Sequence, residues 1–91
     1  MDVLIVEDEP LASERLAELI AQCDTSIQVR STLDTIEDCV EFFANEDPVD
    51  LVFMDIQLSD GISFEIFDRI EVASPVIFTT AYDQYALQAF K

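Results

Sequence analysis

The sequence contains no histidine, and only four basic residues stand against 20 acidic ones. The first absence removes the Ser-His-Asp class of triads and most zinc sites, because both depend on imidazole. The second leaves a net charge of -16. Such a chain repels nucleic acid, whose binding requires Lys and Arg to neutralise phosphates, and an anionic membrane surface is excluded for the same reason. Cysteine is scarce as well. Cys23 and Cys39 lie in helical patterns with no histidine or second cysteine nearby in sequence, so they read as buried free thiols. No apolar run approaches the roughly 20 residues that a membrane-spanning helix needs. Met1-Asp2-Val3 has neither a basic region nor a signal-type cleavage site. These absences predict a cytoplasmic chain, a compartment in which a disulfide is disfavoured.

Half of the chain, 51%, is hydrophobic, which is enough to bury one core, and residues 1–91 read as a single domain. Its most informative stretch is Asp50 to Gly61. The apolar run Leu51-Val52-Phe53-Met54 meets a carboxylate at Asp55 and then breaks into a polar turn ending in Gly61. A run that is apolar on both faces suits a strand buried between two layers. Val3-Leu4-Ile5-Val6 repeats the pattern, followed at once by Glu7-Asp8-Glu9, and Pro75-Val76-Ile77-Phe78 ends in Thr79-Thr80. A weaker strand spans Ser26 to Thr32, where Ile27, Val29 and Ser31 alternate with polar residues, the mark of a sheet edge.

Helical patterns fill the gaps. Pro10 opens the first, with Leu11, Leu16, Leu19, Ile20 and Cys23 on its apolar face. Asp34-Thr35-Ile36-Glu37 resembles a capping box that starts the second. Ile36, Cys39, Val40 and Phe43 form its buried face, and it ends before Pro48. Phe64, Ile66, Phe67 and Ile70 suggest a third, and Asp83 caps a final one bearing Tyr85, Leu87 and Phe90. Strands alternating with helices across short loops predict right-handed βαβ units and a doubly wound parallel sheet in the order 2-1-3-4. The first and third strands are then neighbours at the topological switch point. Their carboxyl ends form a crevice holding Asp8 and Asp55, with Glu7 close by.

Three acids in one crevice repel one another, at a cost of about 4 kcal/mol for a pair of unit charges about 4 Å apart in a medium of effective dielectric about 20. A raised pKa or a bound cation relieves that cost. Oxygen-only donors suit Mg²⁺, which prefers one or two carboxylates together with a phosphate. An aspartate beside such an ion is placed to attack a phosphoryl group, and Thr80 is a candidate hydrogen-bond donor to a phosphoryl oxygen. Two other classes stay open: a Mg²⁺-dependent phosphohydrolase with an aspartyl nucleophile, and an interaction domain that never takes phosphate. The first would want an acid two residues after Asp55, where Gln57 stands.

Leu4 to Pro10, Asp50 to Asp55 and Phe78-Thr79-Thr80-Ala81-Tyr82-Asp83, in that order, together resemble the receiver domain of two-component response regulators. Phe78 to Lys91 looks most like receivers that precede a LytTR-type DNA-binding domain. The resemblance implies a flavodoxin-like fold and a signalling module rather than an enzyme with an external substrate. It makes Asp55 the phosphoacceptor, Asp8 a direct metal ligand, Glu7 a ligand acting largely through water, and Gln57 the donor of a backbone carbonyl to Mg²⁺. Thr80 matches the switch hydroxyl and Ala81 the small residue beside it, while Tyr82 and the Gln57 side chain match positions that tune phosphoryl lifetime. The implied partners are a histidine kinase and a C-terminal DNA-binding effector domain. Three departures accompany the match. Ser59 stands where the family often has proline, in a loop that is short. Glu7 replaces the commoner aspartate. The family's fifth strand, with its lysine and proline, and its fifth helix are absent, and Lys91 is not that lysine. A receiver shortened in this way is expected to bind metal weakly, to phosphorylate poorly, and to pair as a homodimer or swapped assembly through the open edge of its fourth strand.

Overall fold

The computed structural model describes residues 1–79. Along the chain run β1 (Asp2–Val6), α1 (Pro10–Cys23), β2 (Gln28–Leu33), α2 (Ile36–Asn45), β3 (Leu51–Met54), β4 (Gln57–Leu58), β5 (Gly61–Ile62), α3 (Glu65–Arg69) and β6 (Val76–Phe78). The final helix predicted from Asp83 lies outside the described residues, as does Thr80. Four strands form one parallel sheet in the order β2-β1-β3-β6. This is the predicted 2-1-3-4 order, with β6 as the fourth long strand.

The alternation of side chains along β1 and β3 builds a core on each face of this sheet. Val3, Ile5, Leu51 and Phe53 face α1, where they pack with Leu16, Ala17 and Ile20. Leu4, Val6, Val52 and Met54 face the other layer and meet Ile36 and Cys39 of α2, Ile66 of α3, and Leu58. All four apolar residues of β1 are fully buried. Along β2, half-buried Val29, Ser31 and Leu33 alternate with exposed Gln28, Arg30 and Thr32, so it is the edge strand that its polarity predicted.

Several local expectations shift. The second strand begins at Gln28 and not Ser26 because Asp24 organises a turn there, its carboxylate accepting from the Ser26 amide at 2.9 Å and the Ser26 hydroxyl at 2.7 Å. On α1, only the strip through Leu16, Ala17 and Ile20 reaches the sheet. Leu11 lies roughly opposite that strip and Leu19 about 100° around from it at 3.6 residues per turn, and both are exposed. Cys23, the last residue of α1, is exposed too, whereas Cys39 is buried as expected. Burial pushes the Cys39 thiol up to about 12, which leaves it inert. The cap of α2 is Thr35 and not Asp34, with Thr35 Oγ1 accepting from the Asp38 amide at 3.1 Å. The third helix is only five residues long and presents Ile66 to the core, leaving Phe64 and Phe67 exposed.

The amino-terminal edge of the sheet is tightly stitched. The Asp2 amide donates to Asp50 Oδ2 at 2.7 Å and the Asp50 amide donates to the Asp2 carbonyl at 2.8 Å. Arg30 reaches from β2 to Asp2 Oδ2 at 2.8 Å and to the Asp47 carbonyl at 2.6 Å. Buried Ser74 donates to the Val49 carbonyl at 2.7 Å, tying the entry of β6 to the entry of β3. These bonds hold β1 and β3 in register without using any group at the opposite edge. Truncating the centre of the core is expected to be costly: Leu4→Ala should lower the unfolding free energy by about 2–5 kcal/mol. Leu11→Ala, on the exposed side of α1, should change it by less than about 0.5 kcal/mol. Urea denaturation of the two variants against the parent chain measures both.

Candidate functional site

The carboxyl ends of the central strands converge because the register leaves them no alternative. Val6 pairs with Met54, and Met54 with Phe78. The ladder then runs one bond further on each side: the Asp55 amide donates to the Val6 carbonyl at 2.8 Å, the Glu7 amide to the Leu33 carbonyl at 2.8 Å, and the Thr79 amide to the Met54 carbonyl at 2.9 Å. Glu7, Asp55 and Thr79 are therefore the first residues past a common row, where the chain leaves the hydrophobic layers.

Glu7, Asp8 and Asp55 are half-buried, and one carboxylate oxygen from each lies within 4.8 Å of the others. Two oxygens bound to one Mg²⁺ at about 2.1 Å sit no more than about 4.2 Å apart, so this set needs only a small side-chain adjustment, or one bridging water, to hold such an ion. The donors are all oxygen, which fits a hard cation and not zinc. The electrostatics point the same way. Burial, together with the neighbouring Asp55 and Asp8 carboxylates, pushes Glu7 from its ordinary 4.5 up to about 7, although a bond from the Glu9 amide at 3.2 Å opposes the rise. The Asp55 carboxylate is held in part by the Ile56 amide, which donates to Oδ1 at 2.8 Å.

Of the predicted site residues, the structure brings Glu7, Asp8 and Asp55 together. It puts exposed Gln57 on the adjoining strand β4. Sequence reasoning read residues 57–61 only as a polar turn. They form a β-hairpin, β4 pairing antiparallel with β5 through Gln57–Ile62 and Leu58–Gly61, with Ser59 and Asp60 as its tip. Gly61 has φ 144°, and a side chain there would meet Ile36 Cδ1 at 3.1 Å. A signal was present: Ser-Asp-Gly between two apolar residues is turn chemistry of the right length for a tight hairpin. The short loop noted in the sequence is what allows it. Asp60 also gained no role from the sequence, yet its carboxylate accepts from the Ile36 amide at 2.8 Å and the Glu37 amide at 3.3 Å.

Comparison with known proteins agrees with this geometry. Residues 3–91 match the family model described as response regulator receiver domain. The sensory transduction protein LytT of Enterococcus faecalis is 40% identical over 94 residues, an alignment covering 100% of this chain and 38% of that protein. Among solved structures, the receiver domain of the PhyR response regulator from Erythrobacter litoralis is 37% identical with a TM-score of 0.73, covering 99% of this chain and 70% of that one. The response regulatory domain of mrkE from Klebsiella pneumoniae is 31% identical with a TM-score of 0.76, covering 99% and 75%. The chain thus spans less than two-fifths of the length of the LytT relatives it matches.

The raised Glu7 gives this site a pH signature. Between about 4.5 and about 7 the folded chain holds a proton on Glu7 that the unfolded chain has released, so stability from this group falls as pH rises through that window and levels off above it. Urea midpoints measured across the window in the presence of a chelator should show this component, and Glu7→Gln should remove it. A cation competes with that proton, so Mg²⁺ affinity should be higher at about pH 8 than at about pH 6, with a smaller difference in the Gln variant.

Proposed function

This chain belongs to the response regulator receiver family, and on that premise we propose that it is a phosphoacceptor module that takes a phosphoryl group on Asp55 and converts the modification into altered affinity for a partner. The observation that carries the reading is the convergence of Glu7, Asp8 and Asp55 within 4.8 Å at the carboxyl edge of the sheet.

The chemistry follows from charge. An unmodified pocket with three acids resists a further anion. Mg²⁺, when bound, supplies the positive charge that lets a phosphoryl group approach. Asp8 and Asp55 would hold the ion directly, Glu7 through water, and Gln57 through its backbone carbonyl. The Asp55 carboxylate oxygen not engaged by the Ile56 amide is the nucleophile: as its bond to phosphorus forms, the donor's own bond to phosphorus breaks and the electron pair leaves with the donor group (the imidazole nitrogen of a phosphohistidine or the carboxylate of a small acyl phosphate), making an acyl phosphate on Asp55. Thr80 is the proposed switch hydroxyl. The reaction is a self-modification, so the module is not an enzyme with an external substrate. For the whole protein, the proposed phosphoryl donor is a histidine kinase and the proposed output is a C-terminal DNA-binding effector domain. A cytoplasmic setting suits both, and among the described residues no helix is long and apolar enough to cross a membrane.

Incubation with a small acyl-phosphate donor and Mg²⁺, followed by intact-mass and peptide mass spectrometry, tests the proposal. One phosphoryl adduct on Asp55, absent in Asp55→Asn and in chelator, is the expected outcome. Turnover of the donor without an adduct would favour a phosphohydrolase, and no reaction at all would favour a pure interaction domain.

A further inference from the structure

We propose that Asp60 is a positioning residue for the acidic pocket: by fixing the hairpin tip to the first turn of α2, it makes occupancy of the pocket and order at the start of α2 mutually dependent. The inference rests on the reading of Glu7, Asp8 and Asp55 as a cation site.

Only four residues separate Asp55 from Asp60, and they have little freedom. Ile56 and Leu58 are buried at 2% exposure each, and the Ser63 amide donates to the Ile56 carbonyl at 2.7 Å. The hairpin pairing adds a second constraint at Gln57 and Leu58. The tip would still be free to swing, but Ser59 grips the β2–α2 connection and Asp60 the start of α2. Ser59 Oγ donates to the Asp34 carbonyl at 3.2 Å. Asp60 spans the first two amides of α2, those of Ile36 and Glu37, while the helix's own cap, Thr35, takes only the third, that of Asp38. Amides at a helix start have no partner within the helix and carry partial positive charge, so a carboxylate there is held by charge as well as by hydrogen bonding. Gly61, packed against Ile36 Cδ1, lets the backbone come that close.

This grip crosses from one functional element to another. The backbone from Asp55 to Gln57, which carries the phosphoacceptor and the proposed carbonyl ligand, continues directly into the tip. A cation that draws Asp55 and Gln57 inward pulls on the Asp60 anchor, and an anchored tip presents those ligands ready-placed. Thermodynamic linkage makes the effect reciprocal. Arg69 strengthens the same junction from α3 by holding Glu37 with two bonds of 2.6 and 3.1 Å, which draws the Glu37 carboxylate onto a cation beside Asp60.

Thr35→Ala provides the control, because it also removes a side-chain cap from α2, one whose hydrogen bond goes to the Asp38 amide and not to the hairpin. In the isotope-labelled parent chain, Mg²⁺ should shift the amide signals of Asp8 and Asp55 and slow hydrogen exchange at Ile36 and Glu37. In Asp60→Ala the Mg²⁺ dissociation constant should rise about fivefold, the low end of usual coupling factors, and exchange at Ile36 and Glu37 should no longer respond to Mg²⁺. Asp60→Asn, which keeps one acceptor oxygen, should fall between and serves if the alanine variant does not fold. Thr35→Ala should keep parent-like Mg²⁺ affinity and the Ile36 response. Unchanged Mg²⁺ affinity in both Asp60 variants overturns the proposal while leaving the cation site intact. Equal weakening by Thr35→Ala also overturns it, by reducing Asp60 to a contributor to α2 stability. If the parent chain shows no Mg²⁺ response at Asp8 or Asp55, the cation site itself is refuted, and the proposal with it.

Discussion

The parallel pairing of β1 with β3 is the constraint on which the rest depends. It is short, running from Val3 and Leu51 to Val6 and Met54, but it is enclosed by apolar layers on both faces. A slip of one residue would turn Leu4 and Val6 toward the wrong layer, so the register is fixed by burial and not by the acids that follow it. The acids are brought together against their mutual repulsion, and Glu7 is pushed up chiefly by burial, with the Asp55 and Asp8 carboxylates adding to the rise. Core packing thus imposes the arrangement, and the chemistry of the pocket is its consequence.

The second layer of organisation is the junction of the hairpin tip with α2. Helix starts need acceptors, and this one draws two of them from a segment about 25 residues further along the chain. Local sequence near Thr35 satisfies a single amide. A helix that depends on a distant carboxylate for its first turn has its start tied to the segment after Asp55. Ile56 to Ser59 join Asp55 of the acidic cluster directly to that anchor.

The central architecture was legible in the sequence because the signals were strong. Val3 to Val6 and Leu51 to Met54 are apolar on both faces, and the polar alternation from Gln28 to Thr32 marked an edge. Strand order and the meeting of Glu7, Asp8 and Asp55 followed from those three runs. What stayed hidden depended on contacts between distant segments. Leu19 and Cys23 lie within about 100° of the Leu16–Ile20 strip, near enough for a periodic reading to include them, whereas the spacing of Leu11 to Leu16 and Ile20 already puts it on the far side of the helix. Asp34 and Thr35 are both good caps, and the choice fell on Thr35, with Asp60 serving the amides of Ile36 and Glu37. The hairpin at residues 57–62 has two-residue strands, too short for any periodicity to show. Phe64, Ile66, Phe67 and Ile70 marked a third helix, but α3 runs only from Glu65 to Arg69 and buries Ile66 alone.

The stitching at the amino-terminal edge has an evolutionary corollary. Asp2, Arg30, Asp47, Asp50 and Ser74 secure the sheet at the rim opposite the Glu7, Asp8 and Asp55 cluster. Mechanical integrity and chemical duty are therefore assigned to opposite rims of one sheet. Loops on the rim that carries the acids can change in sequence or length without each change having to be compensated in the foundation. An architecture divided this way lends itself to duplication and reuse.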